Sequence, residues 1–222
     1  MTPVAYAPGT DAALHAIADA VAAWLPAGFA LAAAHASTEW AIPLADSLLV
    51  ANAVASRQRD FIGGRWCAHR ALAMVGSPVD ALPAGVRGAP AWPAGTLGSI
   101  THDAGWCIAV AGHHHEMTGL GIDLCAADRA PALQPLGDLV LHPAERAQGL
   151  ASRLPSAFCI KEAVVKAVSA GVDRYLDLQD IVIEWSADSF EAKVMGHGTR
   201  IHGRHAMTSA GVFALAICPS TA

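Results

Sequence analysis

Glu162 and Lys166 stand four residues apart in the stretch Phe-Cys-Ile-Lys-Glu-Ala-Val-Val-Lys, residues 158–166. On a helix this spacing places a carboxylate and an ammonium one turn apart on one face, where alone they form a surface ion pair contributing about 0.2–0.5 kcal/mol. Other polar groups widen the chemistry. Arg57, Arg59, Arg65 and Arg70 fall close together, with His69 among them, in a chain whose Lys and Arg total only 14. Such a concentration of guanidinium groups in an acidic protein points to a bound anion. Asp123 closes a Gly-Ile-Asp run that reads as the end of a strand at a sheet edge, a place from which binding groups often project. His113, His114 and His115 invite a metal, yet three successive side chains on a strand or turn cannot all aim at one ion, and a solvated loop is the better reading.

The elements that must position these groups follow from periodicity. Residues 11–25 read as an amphipathic helix (Leu14, Ile17, Ala18, Val21, Leu25) stopped by Pro26 and Gly28, with a strand over 29–35. Helices are predicted over 46–55 and 59–75, the latter ended by Gly76 and carrying the arginines. Residues 77–98 are rich in Pro and Gly and read as an irregular connection that includes Arg87. Strands are expected over 98–102, 106–111 and 119–124, the last two paired as a hairpin around the histidines. A short helix holds Glu145 and Arg146. In the helix over 158–168, Ile160, Val164, Ala167 and Val168 form the buried stripe and turn Glu162 and Lys166 outward together. Strands at 181–185, 190–195 and 212–218 complete the chain. Both halves run from helices into antiparallel strands, which fits an α+β protein of two similar lobes split near Gly112.

Composition narrows the function classes. The chain has 222 residues and is 54% hydrophobic, but the excess is mostly alanine. Its most apolar segment, 12–36, is interrupted by Asp19, Pro26 and Gly28, short of the roughly 20 apolar residues a bilayer span needs. No basic region precedes an apolar run at the start, so a signal peptide is not expected. Five scattered cysteines without a Cys-x-x-Cys pair suit reduced thiols and a cytoplasmic protein. A net charge of -5 argues against nucleic acid as partner. A His-rich metal hydrolase using His102 with the three adjacent histidines lacks any spaced ligand motif such as His-Glu-x-x-His.

Taken in order, four pieces form a pattern. They are Phe61-Ile-Gly-Gly-Arg-Trp-Cys-Ala-His-Arg-Ala-Leu72; Trp92-Pro-Ala-Gly-Thr-Leu-Gly-Ser-Ile-Thr-His102; Gly121-Ile-Asp123; and the 158–166 helix. The pattern resembles the 4'-phosphopantetheinyl transferases, in particular the single-chain, pseudo-two-fold class of the enterobactin synthetase component. The resemblance runs from about Arg57 to Lys166. It implies that fold, an N-terminal lobe over 1–111 with the coenzyme A-binding arginines and His102, and a C-terminal lobe over 112–222 with the metal and catalytic residues. It also implies a reaction in the cleft between the lobes. Coenzyme A gives its 4'-phosphopantetheine arm to a serine of a peptidyl, aryl or acyl carrier protein and releases adenosine 3',5'-bisphosphate.

By the same resemblance Asp123 and Glu162 hold Mg2+, and Glu162 takes the serine proton. Lys166 steadies the leaving phosphate and Lys161 assists. His102, Thr101, Arg65 and Arg87 contact coenzyme A, with Arg65 and Arg87 on its 3'-phosphate. The expected setting is siderophore or other nonribosomal peptide or polyketide assembly, and the expected state a monomer. One departure stands out. The family reads Gly-Ile-Asp-Ile-Glu where this chain reads Gly121-Ile-Asp-Leu-Cys125, and a thiol is a poor Mg2+ ligand. A rival reading follows: a non-catalytic protein that binds coenzyme A or carriers and has lost full metal binding at Cys125.

Overall fold

A computed structural model describes residues 2–85, 88–113, 116–169, 171–172 and 174–220. The chain divides into two compact units, 1–115 and 116–222.

The first unit has strands β1 (Val4–Tyr6), β2 (Phe29–His35), β3 (Thr96–Asp103) and β4 (Trp106–His113) in the order β1-β2-β4-β3. All neighbours are antiparallel except the short edge pair β1–β2. Helix α1 (Ala12–Trp24) starts where the Asp11 side chain accepts from Leu14 N at 2.8 Å. It buries Leu14, Ile17, Ala18 and Val21, the stripe expected from their spacing. The second predicted helix is a short turn, α2 (Leu44–Leu48), and the third is longer than expected, α3 (Ala55–Met74). Gly76 adopts φ 76°, the left-handed conformation that ends a helix. Helix α3 packs on β2, β3 and β4.

The second unit has β5 (Met117–Ala126), β6 (Ile181–Trp185), β7 (Ser189–Val194), β8 (Arg200–Thr208) and β9 (Gly211–Pro219), all antiparallel in the order β5-β9-β8-β7-β6. Between β5 and β6 come the short helices α4 (Ala130–Leu133), α5 (Gly137–Val140) and α6 (Pro143–Ala147), then α7 (Leu154–Val168). Ile160, Val164, Ala167 and Val168 are all buried, with Ile181, Ile183, Phe190 and Val212 in the same core. Each buried Val, Ile or Phe side chain among them contributes about 1.5–3 kcal/mol by leaving water. The architecture is the expected α+β one, two sheets each covered by a long helix. Among the described residues no helix is long and apolar enough to cross a membrane.

The expected hairpin of 106–111 with 119–124 does not form. β4 pairs with β2 and β3, whereas β5 pairs with β9. The physical reason lies at Ala104 and Gly105, with φ of 47° and 81°. Two successive positive φ values make the tight two-residue turn that matches strand twist, and it joins β3 to β4 instead. Asp123 consequently lies within β5, opposite Ala214, rather than at a strand end. Strands β1 and β8 had no clear signal; β8 carries Arg200, His202, Arg204 and His205 in place of an apolar face.

Helix α7 lies directly on the main chain of β5. A Cβ built at Gly119 would meet Ala167 O at 1.7 Å, and one at Gly121 would meet Ala163 O at 2.0 Å. Two residues along the strand thus match four along the helix, a fit of about 6.8 Å against about 6 Å. Replacing Gly121 with Ala forces main chain away from main chain. Urea denaturation of Gly121→Ala is expected to show a loss of at least about 1–3 kcal/mol, the range for overpacked cores; an unchanged midpoint would contradict the contact.

Candidate active site

Three of the sequence-predicted residues converge on the β5–α7 contact. Lys166 Nζ donates to Asp123 Oδ1 at 2.6 Å and to Ile122 O at 2.9 Å. Lys166 is therefore engaged across the helix–strand contact. Asp123 is buried, 8% exposed, and Glu162 is half-buried on the same helix face as Lys166. Burial pushes the Glu162 carboxyl above the ordinary glutamate range, the neighbouring Asp123 charge pushes it further, and Lys166 pulls it back. Two carboxylates thus share one small region with the Lys166 ammonium close by. Such a region favours a cation, or a proton held on Glu162.

Lys161 is not part of that group. It lies on the apolar stripe, three residues before Val164, and is fully buried. Its Nζ donates to Glu145 Oε2 at 2.6 Å and to Val140 O at 2.8 Å. Cys125 is also buried, among the core residues with Cys159. Burial raises the Cys159 thiol well above its usual range, with Asp123 and then Cys125 adding to the effect. A second acid at position 125 would stand in that same apolar cluster.

The first unit gathers a different set. His102 Nε2 lies 3.2 Å from Arg57 Nη1, and its Nδ1 lies 3.6 Å from Asp60 Oδ2. Arg57 is exposed and its guanidinium stands 5.8 Å from the Phe61 ring. Thr101 points to the opposite face of β3 and is 3% exposed, so it does not share the His102 surface. Arg65 is buried over the Phe61 ring at 4.8 Å and donates to Leu82 O. Burial lowers its pKa, opposed by the charge of Asp46. The arginines therefore do not make one basic face: Arg57 and Arg65 lie toward β3 and the 77–95 connection, while Arg70 is exposed over Trp66 at 5.2 Å.

Sequence reasoning missed Asp46, 1% exposed, whose Oδ1 accepts from Leu82 N at 2.9 Å and whose Oδ2 lies 2.7 Å from His69 Nε2. Asp46, His69 and Arg65 together pin the connection at Leu82. Trp92 then covers Gly98, where a Cβ would meet the indole at 2.5 Å, which explains why the Trp-Pro run and the Gly-Ser-Ile-Thr-His run occur together. Arg87, His114 and His115 lie outside the described residues. His113 is tied to the end of α3, with Nε2 3.0 Å from Val75 O. Among the described residues no group of three or more His, Cys, Asp or Glu stands together to hold a metal. Asp123 and Glu162 are the two acids at the β5–α7 contact.

Known proteins resemble the chain in both units. The profile of the 4'-phosphopantetheinyl transferase N-terminal domain matches residues 45–112, and that of the 4'-phosphopantetheinyl transferase superfamily matches residues 119–218. The 4'-phosphopantetheinyl transferase Npt of Nocardia iowensis is 38% identical over 160 residues, 70% of this chain and 71% of that protein. The 4'-phosphopantetheinyl transferase PptT of Mycobacterium tuberculosis is 34% identical over 168 residues, 70% of this chain and 73% of that protein. A holo-(acyl-carrier-protein) synthase of Bacillus anthracis, solved in complex with CoA (3',5'-ADP), aligns with 48% of this chain and 100% of its own at 22% identity and a TM-score of 0.42. The chain belongs to the 4'-phosphopantetheinyl transferase family, and with it to the transferases.

The Glu162 environment makes a direct prediction. In a carboxyl-carbon NMR titration, Glu162 should titrate above the ordinary glutamate range. Lys166→Met should move it higher still, because the ammonium favours the ionised form. An unchanged Glu162 titration on removing Lys166 would mean that the two side chains do not face each other.

Proposed function

We propose that this protein transfers the 4'-phosphopantetheine arm of coenzyme A to a serine of a peptidyl, aryl or acyl carrier protein, with Mg2+, releasing adenosine 3',5'-bisphosphate. The observation that carries the reading is the meeting of Asp123, Glu162 and Lys166 on the β5–α7 contact. The donor set suits the ion: both acids present hard oxygens, and their mutual repulsion is relieved by a divalent cation. Asp123 and Glu162 would hold it. When bound, Mg2+ supplies positive charge against the pyrophosphate oxygens.

The side chains then have separate tasks. Glu162 accepts the proton of the serine hydroxyl as its oxygen bonds to the β-phosphorus. The bond from that phosphorus to the bridging oxygen breaks, and the electron pair leaves on the phosphate of adenosine 3',5'-bisphosphate. Lys166 has three N–H donors, two of them used by Ile122 O and Asp123, and the third is the donor for that leaving phosphate. In the N-terminal lobe, 1–111, His102 with Arg57 takes a phosphate of coenzyme A. Arg65 contributes by holding the connection that carries Arg87. The C-terminal lobe, 112–222, carries the metal and the proton transfer.

The Trp-Pro and Ser-Ile-Thr-His runs support placement in the enterobactin synthetase component class, and with it a role in siderophore or other nonribosomal peptide or polyketide assembly. A monomeric, cytoplasmic enzyme is the corresponding form.

Incubation of an apo carrier protein with coenzyme A and Mg2+ is expected to add the mass of one phosphopantetheine. Glu162→Gln and Asp123→Asn should each lower kcat at least about 100-fold. No transfer to any of several apo carriers would remove the proposal, and coenzyme A binding without Mg2+ binding in equilibrium dialysis would favour the non-catalytic reading. Cys125 belongs to the core, so Cys125→Ala should leave the Mg2+ dissociation constant within about twofold of wild type, since a thiol adds little to a hard-ion site. A tenfold weakening by that variant would make Cys125 a ligand.

A further inference from the structure

Glu162 and Lys166 face Asp123 on β5 only while α7 keeps one rotation about its own axis. The glycine contact with β5 restrains one side of the helix. On another side Lys161, the neighbour of Glu162 in sequence, is 0% exposed, and Glu145 is 1% exposed. Glu145 is fully engaged: Oε2 accepts from Lys161 Nζ at 2.6 Å and from His142 N at 2.9 Å, and Oε1 accepts from Ile183 N at 2.8 Å. Lys161 Nζ also donates to Val140 O at 2.8 Å. One buried ion pair therefore ties α7 to the end of α5, the start of α6 and strand β6.

We infer that Lys161 and Glu145 are a positioning pair for Glu162, and that the reaction needs the match between the two side chains rather than the lysine's charge. The inference rests on the reading of Glu162 as the proton acceptor. Adjacent helical residues differ by about 100° around the axis, so α7 cannot turn Glu162 away without pulling Lys161 off Glu145. A buried carboxylate left without its ammonium draws in water or another cation and displaces the helix. A displacement of about 1 Å at a reacting group costs on the order of 100-fold in rate. Neither atom of the pair touches the Asp123–Lys166 group, so neither is a catalytic residue.

The test is a double-mutant cycle on carrier transfer, run well below the melting temperature of each variant, with folding followed by circular dichroism. Lys161→Met strands the carboxylate. It is expected to lower kcat at least about tenfold while KM for coenzyme A stays within about twofold. Lys161→Met combined with Glu145→Gln removes both charges and keeps acceptors for His142 N and Ile183 N. It should recover kcat at least about threefold over Lys161→Met.

A folded Lys161→Met enzyme with wild-type kcat would overturn the inference, since the pair would then serve stability alone. A raised KM for coenzyme A with no recovery in the double variant would overturn it the other way, making Lys161 a substrate contact. Where Lys161→Met does not fold, the double variant decides: kcat within about tenfold of wild type supports the pair, and a loss beyond about 100-fold overturns it. Glu162→Gln runs in the same assay. If it keeps wild-type kcat, the reading of Glu162 falls and the positioning role with it; if it is inactive, the result on Lys161 stands alone.

Discussion

The approach of α7 to the bare main chain of β5 is the constraint from which the rest of the second unit follows. At Gly119 and Gly121 the helix carbonyls of Ala167 and Ala163 occupy the space where side chains would be. That closeness brings the next residue on the same strand face, Asp123, within 2.6 Å of Lys166. Any side chain at either glycine would lift the helix, and the acid and the lysine would part. The first unit solves the same packing problem with the glycines on the other partner. Gly63 and Gly64 lie on α3, where added Cβ atoms would meet Cys107 Sγ and Ile100 Cγ2, each at 2.8 Å. In both units the polar groups of interest, His102 with Arg57 and Glu162 with Lys166, flank the place where helix and sheet come closest.

Close packing has an electrostatic consequence. It withdraws Glu162 from water and sets it near the charge of Asp123, which is why Glu162 holds its proton more tightly than an exposed glutamate does, with Lys166 opposing the effect. On another side of the same helix, the charges of Lys161 and Glu145 are matched, and the Glu145 carboxylate accepts hydrogen bonds from Lys161 Nζ, His142 N and Ile183 N. A helix that carries an under-compensated face and a fully compensated one separates reactivity from structure by about a third of a turn.

Much of this was legible in the sequence because the signals were local. The stripe of Ile160, Val164 and Val168 predicted the orientation of Glu162 and Lys166, and the same stripe contains position 161, which was the available sign that Lys161 points inward. The pairing of strands was less legible. Residues 106–111 and 119–124 are both apolar, and their nearness in sequence suggested a hairpin, whereas the partners of β4 and β5 are set by the Ala104-Gly105 turn and by β9 at the far end of the chain. Long-range partners leave no local mark. Asp46 shows the same limit: an acid in a short polar turn reads as surface, and only its meeting with Leu82 and His69 reveals why it is buried.

The departure at Cys125 is explained by the same geometry. Gly119, Gly121, Asp123 and Cys125 alternate onto the α7 side of β5, and the first two are glycines because the helix leaves no space. Further along, the surroundings change from polar to apolar: Asp123 meets Lys166, while Cys125 packs with Cys159 in the core. A carboxylate at 125 would need its own cation or donors there, and the unpaired burial of a charge is costly. A thiol fills the volume as a small apolar group and leaves the two acids that meet at the β5–α7 contact, Asp123 and Glu162, to carry the negative charge of the site.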